Sequence, residues 1–217
     1  MAKTDYVPAL RFDFLTRFYD PLVRLSTREI AFKKALIKQA ALAENHRILD
    51  LACGTGTLLI AIKKRFPRIE AVGYDVDAEI LDLARRKAKN AGVQITFKQG
   101  FSHKLSFENE TFDRVFSTLA FHHLNLERKN ETLREIRRVL KPHGEFHLAD
   151  FALPKNKSQF LLSKWIRLID GHETTRDNLR GKLIGLMEEN GFQNVRRTKY
   201  FKTMIGTIRL FRATKTN

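Results

Sequence analysis

Hydrophobic and polar positions alternate along the chain with two different periods, and together they predict strands separated by helices. Short apolar runs predict strands over residues 47–52, 71–75, 95–97, 113–117 and 145–149. Apolar side chains at helical spacing predict helices over residues 57–65, 78–90, 127–140, 157–169 and 176–190. Strands that alternate with helices are typical of a parallel sheet.

Both ends of the chain depart from this alternation. Residues 9–43 are amphipathic and interrupted at Pro21, which predicts an N-terminal helical cap. Residues 195–201 and 207–212 predict two strands of an antiparallel hairpin. We therefore expect an α/β fold: a seven-stranded, mostly parallel sheet with one antiparallel strand and helices on both faces. It forms a single domain, with the cap at residues 1–46, the core at 47–150, and lid helices and hairpin at 151–217.

The most informative segment is the glycine-rich turn between the first predicted strand and the first predicted helix. Residues 48–58 read ILDLACGTGTL, and the next predicted strand ends at Asp75. A strand, a glycine turn, a helix and a second strand that ends in a carboxylate are typical of a nucleoside-binding half-domain. Gly54 and Gly56 would let the backbone approach a ligand closely, and Asp75 could accept hydrogen bonds from both ribose hydroxyls.

Details of this turn distinguish between nucleoside ligands. The third glycine of a dinucleotide fingerprint is replaced by Leu59, and the lysine of a phosphate-binding loop is absent. Asp50 precedes the turn, and its charge would repel a phosphate and attract a cation. A nucleoside with a positive centre and an amino-acid group fits best, which points to S-adenosylmethionine.

Four segments carry a resemblance to a known family. They are residues 48–58, 72–81 (VGYDVDAEIL), 112–124 (FDRVFSTLAFHHL) and 138–151 (RVLKPHGEFHLADF). In this order and spacing they resemble the class I S-adenosylmethionine-dependent methyltransferases, in particular the group that includes the ubiquinone/menaquinone-biosynthesis and phospholipid N-methyltransferases. The resemblance implies a Rossmann-like fold and a methyltransferase that uses S-adenosylmethionine. It leaves the methyl acceptor open.

The resemblance also implies which residues bind the cofactor. The methionine part would lie against Ala52, Cys53, Gly54, Thr55 and Gly56, and Asp50 would shape the electrostatics beside it. Asp75 would bind the ribose, and Val76 would pack on the adenine. Where the family has Gly-Asp-Ala, this chain has Gly100, Phe101 and Ser102, so we expect Phe101 to stack on the base and Ser102 to contact its edge.

Three further groups complete the predicted site. Ser117, Thr118 and Leu119 leave the fourth strand at the reaction centre, and Tyr19 resembles a tyrosine of the family's N-terminal cap. His122 and His123 follow, and a neutral imidazole is a suitable base for a phenol or enediol acceptor. They are the catalytic candidates. The alternative is that they only pack or form hydrogen bonds, with catalysis by proximity alone.

Composition narrows the remaining possibilities. The chain has 217 residues and no apolar stretch of about 18–20 residues, so we expect no transmembrane helix. The N-terminus does not resemble a secretory signal, and a single cysteine fits a reducing cytoplasm. Cys53 is better explained as a small packing residue than as a nucleophile. No metal-site spacing of cysteine and histidine is present, so we predict no metal.

The charge suggests an anionic partner. The formal net charge is +16, and residues 151–217 alone carry 14 basic and five acidic side chains. The segment 158–169 (SQFLLSKWIRLI) joins aromatic and leucine side chains with cations, which suits either a lid or a helix at an anionic membrane surface. A highly soluble surface with no partner would have the same charge.

Three functions are therefore carried forward. The first is methylation of a hydrophobic small molecule, such as a quinone precursor or a phospholipid headgroup, by a cytoplasmic enzyme peripheral to a membrane. The second is an RNA methyltransferase that uses the basic surface, a less favoured reading because the chain lacks the Asn/Asp-Pro-Pro-Tyr/Phe segment used on exocyclic amines. The third is a non-catalytic cofactor-binding partner protein. The oligomeric state is not predicted.

Overall fold

The computed structural model describes residues 28–152, 182–203 and 206–216. Its helices are α1 (Glu29–Gln39), α2 (Thr57–Arg65), α3 (Ala78–Asn90), α4 (Leu126–Val139) and α5 (Leu183–Glu189), with a 3₁₀ turn at Phe121–His123. Its strands are β1 (Arg47–Leu51), β2 (Glu70–Asp75), β3 (Thr96–Gln99), β4 (Phe112–Thr118), β5 (Leu140–Ala152), β6 (Gln193–Lys202) and β7 (Thr207–Thr214). The predicted strand-and-helix alternation is confirmed.

One seven-stranded sheet organises the molecule, in the order β3-β2-β1-β4-β5-β7-β6. Strands β1 to β5 pair in parallel, and β7 runs antiparallel between β5 and β6. The prediction of one antiparallel strand and a terminal hairpin is therefore confirmed. The chain leaves β1 toward β2 on one side and returns to β4 on the other. This reversal opens a crevice at the carboxyl ends of the strands, where α/β sheets bind ligands.

Helices cover both faces of the sheet, as predicted. On one face, α1 and α2 bury Phe32, Leu36, Leu58 and Ile62 against the sheet. On the other face, α4 and α5 bury a second apolar cluster that includes Leu133, Ile136, Leu183 and Leu186. Since both faces are covered, the central strands are apolar almost throughout, and the few buried polar side chains in them stand out.

The fifth strand differs from its prediction. It begins at Leu140, five residues before the predicted start, and therefore contains Pro142. Proline cannot donate to a strand ladder, but here the pairing of β4 with β5 shifts register between Phe112 and Arg114. Pro142 lies in this irregular stretch and is exposed, so the strand tolerates it. The preceding helix, predicted over residues 127–140, ends one residue earlier, at Val139.

An aspartate after β2 starts the next helix. Asp77 caps α3 by accepting hydrogen bonds from the backbone amides of Glu79 and Ile80. Most of the predicted N-terminal cap and the predicted helix at 157–169 lie outside the described residues. The described part of the cap, α1, packs against the sheet and reaches the start of α2.

Candidate active site

The glycine loop lies at the carboxyl end of β1 and is built from left-handed backbone conformations. Ala52, Gly54 and Gly56 have φ values of 56°, 53° and 72°. A Cβ on Gly56 would press against the ring of Phe97 at 3.1 Å, whereas a Cβ on Gly54 would meet nothing within 4 Å. The loop therefore needs glycine at position 56 for packing and conformation. At position 54 it leaves open space beside the backbone, into which a ligand can fit.

Asp75 connects this loop to the end of β2. Its Oδ2 accepts a hydrogen bond from the backbone amide of Gly54 at 2.9 Å, and its Oδ1 accepts one from the amide of Asp77 at 3.1 Å. Burial raises the pKa of the carboxyl, and the two amides oppose that shift. Each carboxylate oxygen has further lone pairs, so Asp75 can accept hydrogen bonds from a pair of hydroxyls.

Asp50 is the most unusual group of the site. It is fully buried in β1, and neither carboxylate oxygen has a hydrogen-bond partner in the described part of the chain. Burial raises its pKa to about 7, a shift that Lys33 opposes and Asp75 reinforces. A buried carboxylate without donors is costly unless a cation lies beside it, so this position favours a positively charged ligand.

A polar cluster on α1 lies against the start of α2, and the sequence analysis missed it. Nζ of Lys33 donates to Oγ1 of Thr57 at 2.5 Å and is paired with Glu29. The hydroxyl of Thr57 in turn donates to Oε1 of Glu29 at 2.8 Å. Because Thr57 is the first residue of α2, this cluster holds α1 next to the glycine loop. The signal in the sequence was weak, since a Glu-x-x-x-Lys pair is also common on solvated helices.

Cys53 is enclosed within the loop. Its side chain is buried, and its Sγ lies 2.9 Å from the position that a Cβ on Gly73 would occupy. Burial and the neighbouring carboxyls of Asp50 and Asp75 raise the pKa of the thiol well above its usual value. A neutral, buried thiol is a poor nucleophile, which supports the packing role.

The residues predicted to contact adenine lie next to Asp75. The amide of Gly100 donates to the Asp75 carbonyl at 2.9 Å, and the following Phe101 has 52% of its surface exposed. Its ring is therefore accessible for stacking. Val76, at the other side of Asp75, is half-buried. The hydroxyl of Ser102 lies 2.9 Å from that of Thr132, so the base contact predicted for Ser102 would use its backbone.

The segment after β4 contains the predicted reaction centre. The Ser117 hydroxyl is buried and has no hydrogen-bond partner within residues 28–152, 182–203 and 206–216. Leu119 has a φ of 55°, an unfavourable value for a branched side chain, and its amide donates to the Ala149 carbonyl at 2.8 Å. Strained backbone of this kind is concentrated at functional sites. It turns the chain from β4 toward the two histidines.

His122 and His123 differ in their surroundings. His122 is buried, and its Nδ1 lies 2.7 Å from Oδ1 of Asp150 at the end of β5. His123 is exposed, and its ring centroid is 4.0 Å from that of His122. Although part of His123 is accessible to solvent, neighbouring groups enclose much of its ring. This loss of hydration and the nearby imidazole of His122 lower the pKa of His123, so it is neutral at physiological pH.

Asp150 was not identified from the sequence, although the signal was present. It lies at the carboxyl end of a central strand next to β4, where the rule on ligand sites in α/β sheets places functional residues. Tyr19 lies outside the described residues, so its predicted contact stays a prediction. In the described ranges, no group of three or more metal-ligating side chains is close enough to hold an ion.

Comparisons with known proteins identify the family. A profile described as a methyltransferase domain matches residues 48–144. Ubiquinone/menaquinone biosynthesis C-methyltransferase UbiE of Syntrophotalea carbinolica is 33% identical, with 85% of each chain covered. Demethylmenaquinone methyltransferase of Lactobacillus johnsonii is 31% identical, with 92% of this chain and 91% of that one covered. The chain belongs to the class I S-adenosylmethionine-dependent methyltransferases.

A solved structure agrees in fold with this methyltransferase. Phosphoethanolamine N-methyltransferase 2 of Haemonchus contortus, in complex with phosphomonomethylethanolamine and S-adenosylhomocysteine, superposes with a TM-score of 0.69 at 15% identity. The match covers 86% of this chain and 53% of that one. At this identity the likeness concerns the fold alone.

The methyltransferase uses S-adenosylmethionine, and its own residues fit that cofactor. The unpartnered Asp50 carboxylate suits a ligand with a sulfonium and an ammonium group. The open space at Gly54 suits the methionine part of the cofactor, and the hydrogen-bonded carboxylate of Asp75 suits the ribose. No helix in the described part of the methyltransferase is long and apolar enough to cross a membrane.

Proposed function

We propose that this methyltransferase methylates a hydrophobic small molecule with a hydroxylated, quinone-type ring. The observation that carries the acceptor class is the 33% identity to a ubiquinone/menaquinone C-methyltransferase, which spans 85% of both chains. A ring carbon becomes nucleophilic when a neighbouring hydroxyl loses its proton. Two histidines at the carboxyl end of β4 are suitable groups to accept that proton.

The described residues have distinct roles in this reaction. Asp75, whose carboxylate is fixed by the amide of Gly54, binds and orients the nucleoside. Asp50 provides the negative charge that balances the cofactor's positive groups. S-adenosylmethionine supplies an electrophilic methyl group on a sulfonium. The remaining tasks of the protein are to align the acceptor with that methyl, to exclude water and to accept a proton, for which His122 and His123 are the candidates.

A lipid-soluble acceptor would be presented at a membrane, and one edge of the sheet has the charge for such a surface. Edge strand β6 exposes four cationic residues, Arg196, Arg197, Lys199 and Lys202. Clustered cations near a surface attract anionic lipids by about 1 kcal/mol each. The hydrophobic segment 158–169 lies outside the described residues, so its predicted membrane contact stays a prediction. A phospholipid headgroup remains the second acceptor class that this surface would serve.

A nucleic acid is the competing acceptor, and the net charge of +16 favours it. Some basic side chains in the described ranges are paired with acids, as in Arg85 with Asp82 and Arg138 with Glu135, which reduces the field available to a phosphate backbone. Because the relatives are quinone methyltransferases, we rank RNA below a quinone-type ring.

Turnover of S-adenosylmethionine to S-adenosylhomocysteine tests the proposal. Three acceptors are supplied separately: a short-chain 2-alkyl-1,4-naphthoquinol kept reduced, a total lipid extract, and total RNA. Methylated naphthoquinol, detected by mass spectrometry, is the expected product. Turnover with the lipid extract but not with the quinol would indicate that the acceptor is a phospholipid headgroup. Turnover with RNA alone would contradict the proposal, and turnover with none would favour a non-catalytic partner protein.

A further inference from the structure

The carboxylate of Asp150 is held in one orientation by three donors. Oδ1 lies 2.7 Å from Nδ1 of His122 and accepts the backbone amide of Phe151 at 2.7 Å. Oδ2 accepts the backbone amide of His122 at 3.2 Å. Asp150 is fully buried, so water does not compete for these bonds. The carboxylate therefore fixes both the backbone and the ring of His122.

This geometry selects a tautomer of His122. An ionised carboxylate only accepts hydrogen bonds, so Nδ1 of His122 must carry the proton that it shares with Asp150. In the neutral ring, Nε2 is then the basic nitrogen. The arrangement matches the way in which a buried carboxylate orients a catalytic imidazole and stabilises its protonated form.

Packing prevents the ring from turning away. The ring of Phe151 meets that of His122 edge to face, with centroids 4.9 Å apart and planes inclined by 76°. His123 closes the other side, with centroids 4.0 Å apart. Within the described ranges no carboxylate is hydrogen-bonded to His123, and its lowered pKa makes it a weak base. The two neighbouring histidines are thus not equivalent.

We propose that Asp150 is a positioning residue, which orients His122 so that Nε2 accepts the proton of the acceptor's hydroxyl. This inference rests on the proposed quinone-type acceptor. The O–H bond breaks, the proton goes to Nε2, and the electron pair stays on the ring oxygen and activates the adjacent ring carbon. That carbon bonds to the methyl group as the methyl–sulfur bond breaks, with its electron pair on sulfur. The ring proton then leaves to solvent and His122 returns its proton to the oxygen.

The variant Asp150→Asn tests this role with little change in volume. The side-chain amide of the variant can donate hydrogen bonds at a position where the carboxylate only accepts them. The substitution also removes the negative charge that stabilises a protonated His122. With the reduced naphthoquinol as acceptor, kcat should fall by roughly 100-fold or more, while the KM for S-adenosylmethionine stays within about twofold.

Glu145→Gln is the matched control. Glu145 lies on the same strand but on the opposite face, is also buried, and has Oε2 at 3.0 Å from Nε2 of buried His147. The control should lower thermal stability and leave kcat unchanged. If Asp150→Asn behaves in the same way, with a loss of stability alone, the positioning role is overturned.

A readout without any acceptor separates this inference from the proposed function. Nitrogen-15 histidine spectra of the wild-type protein should show neutral His122 protonated at Nδ1, and in Asp150→Asn this preference for Nδ1 should be lost. A neutral His122 protonated at Nε2 in the wild type would overturn the inference, whatever the acceptor. Failure to methylate the quinol, with the expected spectra, would instead contradict the proposed function alone.

Discussion

The backbone amide of Gly54 donates a hydrogen bond to Oδ2 of Asp75 at 2.9 Å. The carboxylate predicted to bind the ribose therefore also fixes the glycine loop in its left-handed conformation. Loop and carboxylate form a single unit, which is already assembled in the protein alone.

Asp75→Ala should uncouple this unit. Each hydrogen bond to a charged group contributes about 1.5–3 kcal/mol, so loss of two ribose contacts should weaken S-adenosylmethionine binding by at least about 100-fold in calorimetry. Asp82→Ala, on the exposed side of α3, is the control and should bind normally. Unchanged affinity in Asp75→Ala would refute the ribose assignment.

Asp50→Asn should change stability and affinity in opposite directions. The folded protein keeps the Asp50 proton up to a pKa of about 7, whereas the unfolded chain loses it near 3.8. Between these values the folded state binds more protons, so ionisation of Asp50 costs stability as pH rises, up to about 4 kcal/mol above pH 7. Asn removes that cost but also the charge that favours the cofactor.

Chemical denaturation and calorimetry at pH 8 measure both effects. Asp50→Asn should be more stable than the wild type without ligand and bind S-adenosylmethionine at least about 10-fold more weakly. Asp113→Asn is the opposite control, because Asp113 accepts hydrogen bonds from the Arg47 amide and from Lys141. These contacts lower its pKa, so that variant should lose stability. A destabilised Asp50→Asn would contradict our account of the site.

Much of this site follows from the sequence because it lies in a local pattern. Strand, glycine turn and strand-terminal carboxylate are contiguous features, so Asp50, Gly54 and Asp75 were all predicted. Glu29 and Asp150 were missed, since each meets its partner only when distant segments pack together, 28 residues apart in both cases. The early start of β5 was missed because Pro142 argued against a strand, and only the register shift in its pairing with β4 makes it acceptable.

Lys33→Met should alter the pH dependence of cofactor binding. Lys33 lowers the pKa of Asp50, so its loss should raise that pKa further and move the pH midpoint for S-adenosylmethionine binding upward. Binding should require a higher pH in this variant than in the wild type. Lys34→Met, at the next and exposed position of α1, should leave the midpoint unchanged. Equal midpoints in both variants would show that Lys33 does not act on Asp50.

Gly73→Ala should destabilise the protein through the strand beneath the loop. The added Cβ would lie 2.6 Å from Cδ1 of Phe97 and 2.9 Å from Sγ of Cys53, which we expect to cost about 1–3 kcal/mol in the free energy of unfolding. Gly185→Ala is the matched control within α5, where the nearest atom is 3.9 Å away. It should stabilise by about 0.5–1 kcal/mol, as alanine does in helices. Thermal denaturation compares the two.

The reactivity of the Cys53 thiol reports how often the glycine loop opens. It is the only cysteine in the sequence, and its buried, protonated thiol cannot react with an alkylating reagent while the loop is closed. The labelling rate therefore depends on how often this loop opens, and motions elsewhere in the protein do not contribute to it. Saturating S-adenosylmethionine should lower the labelling rate of Cys53. A single thiol assay therefore measures how often the binding crevice opens, with and without the cofactor.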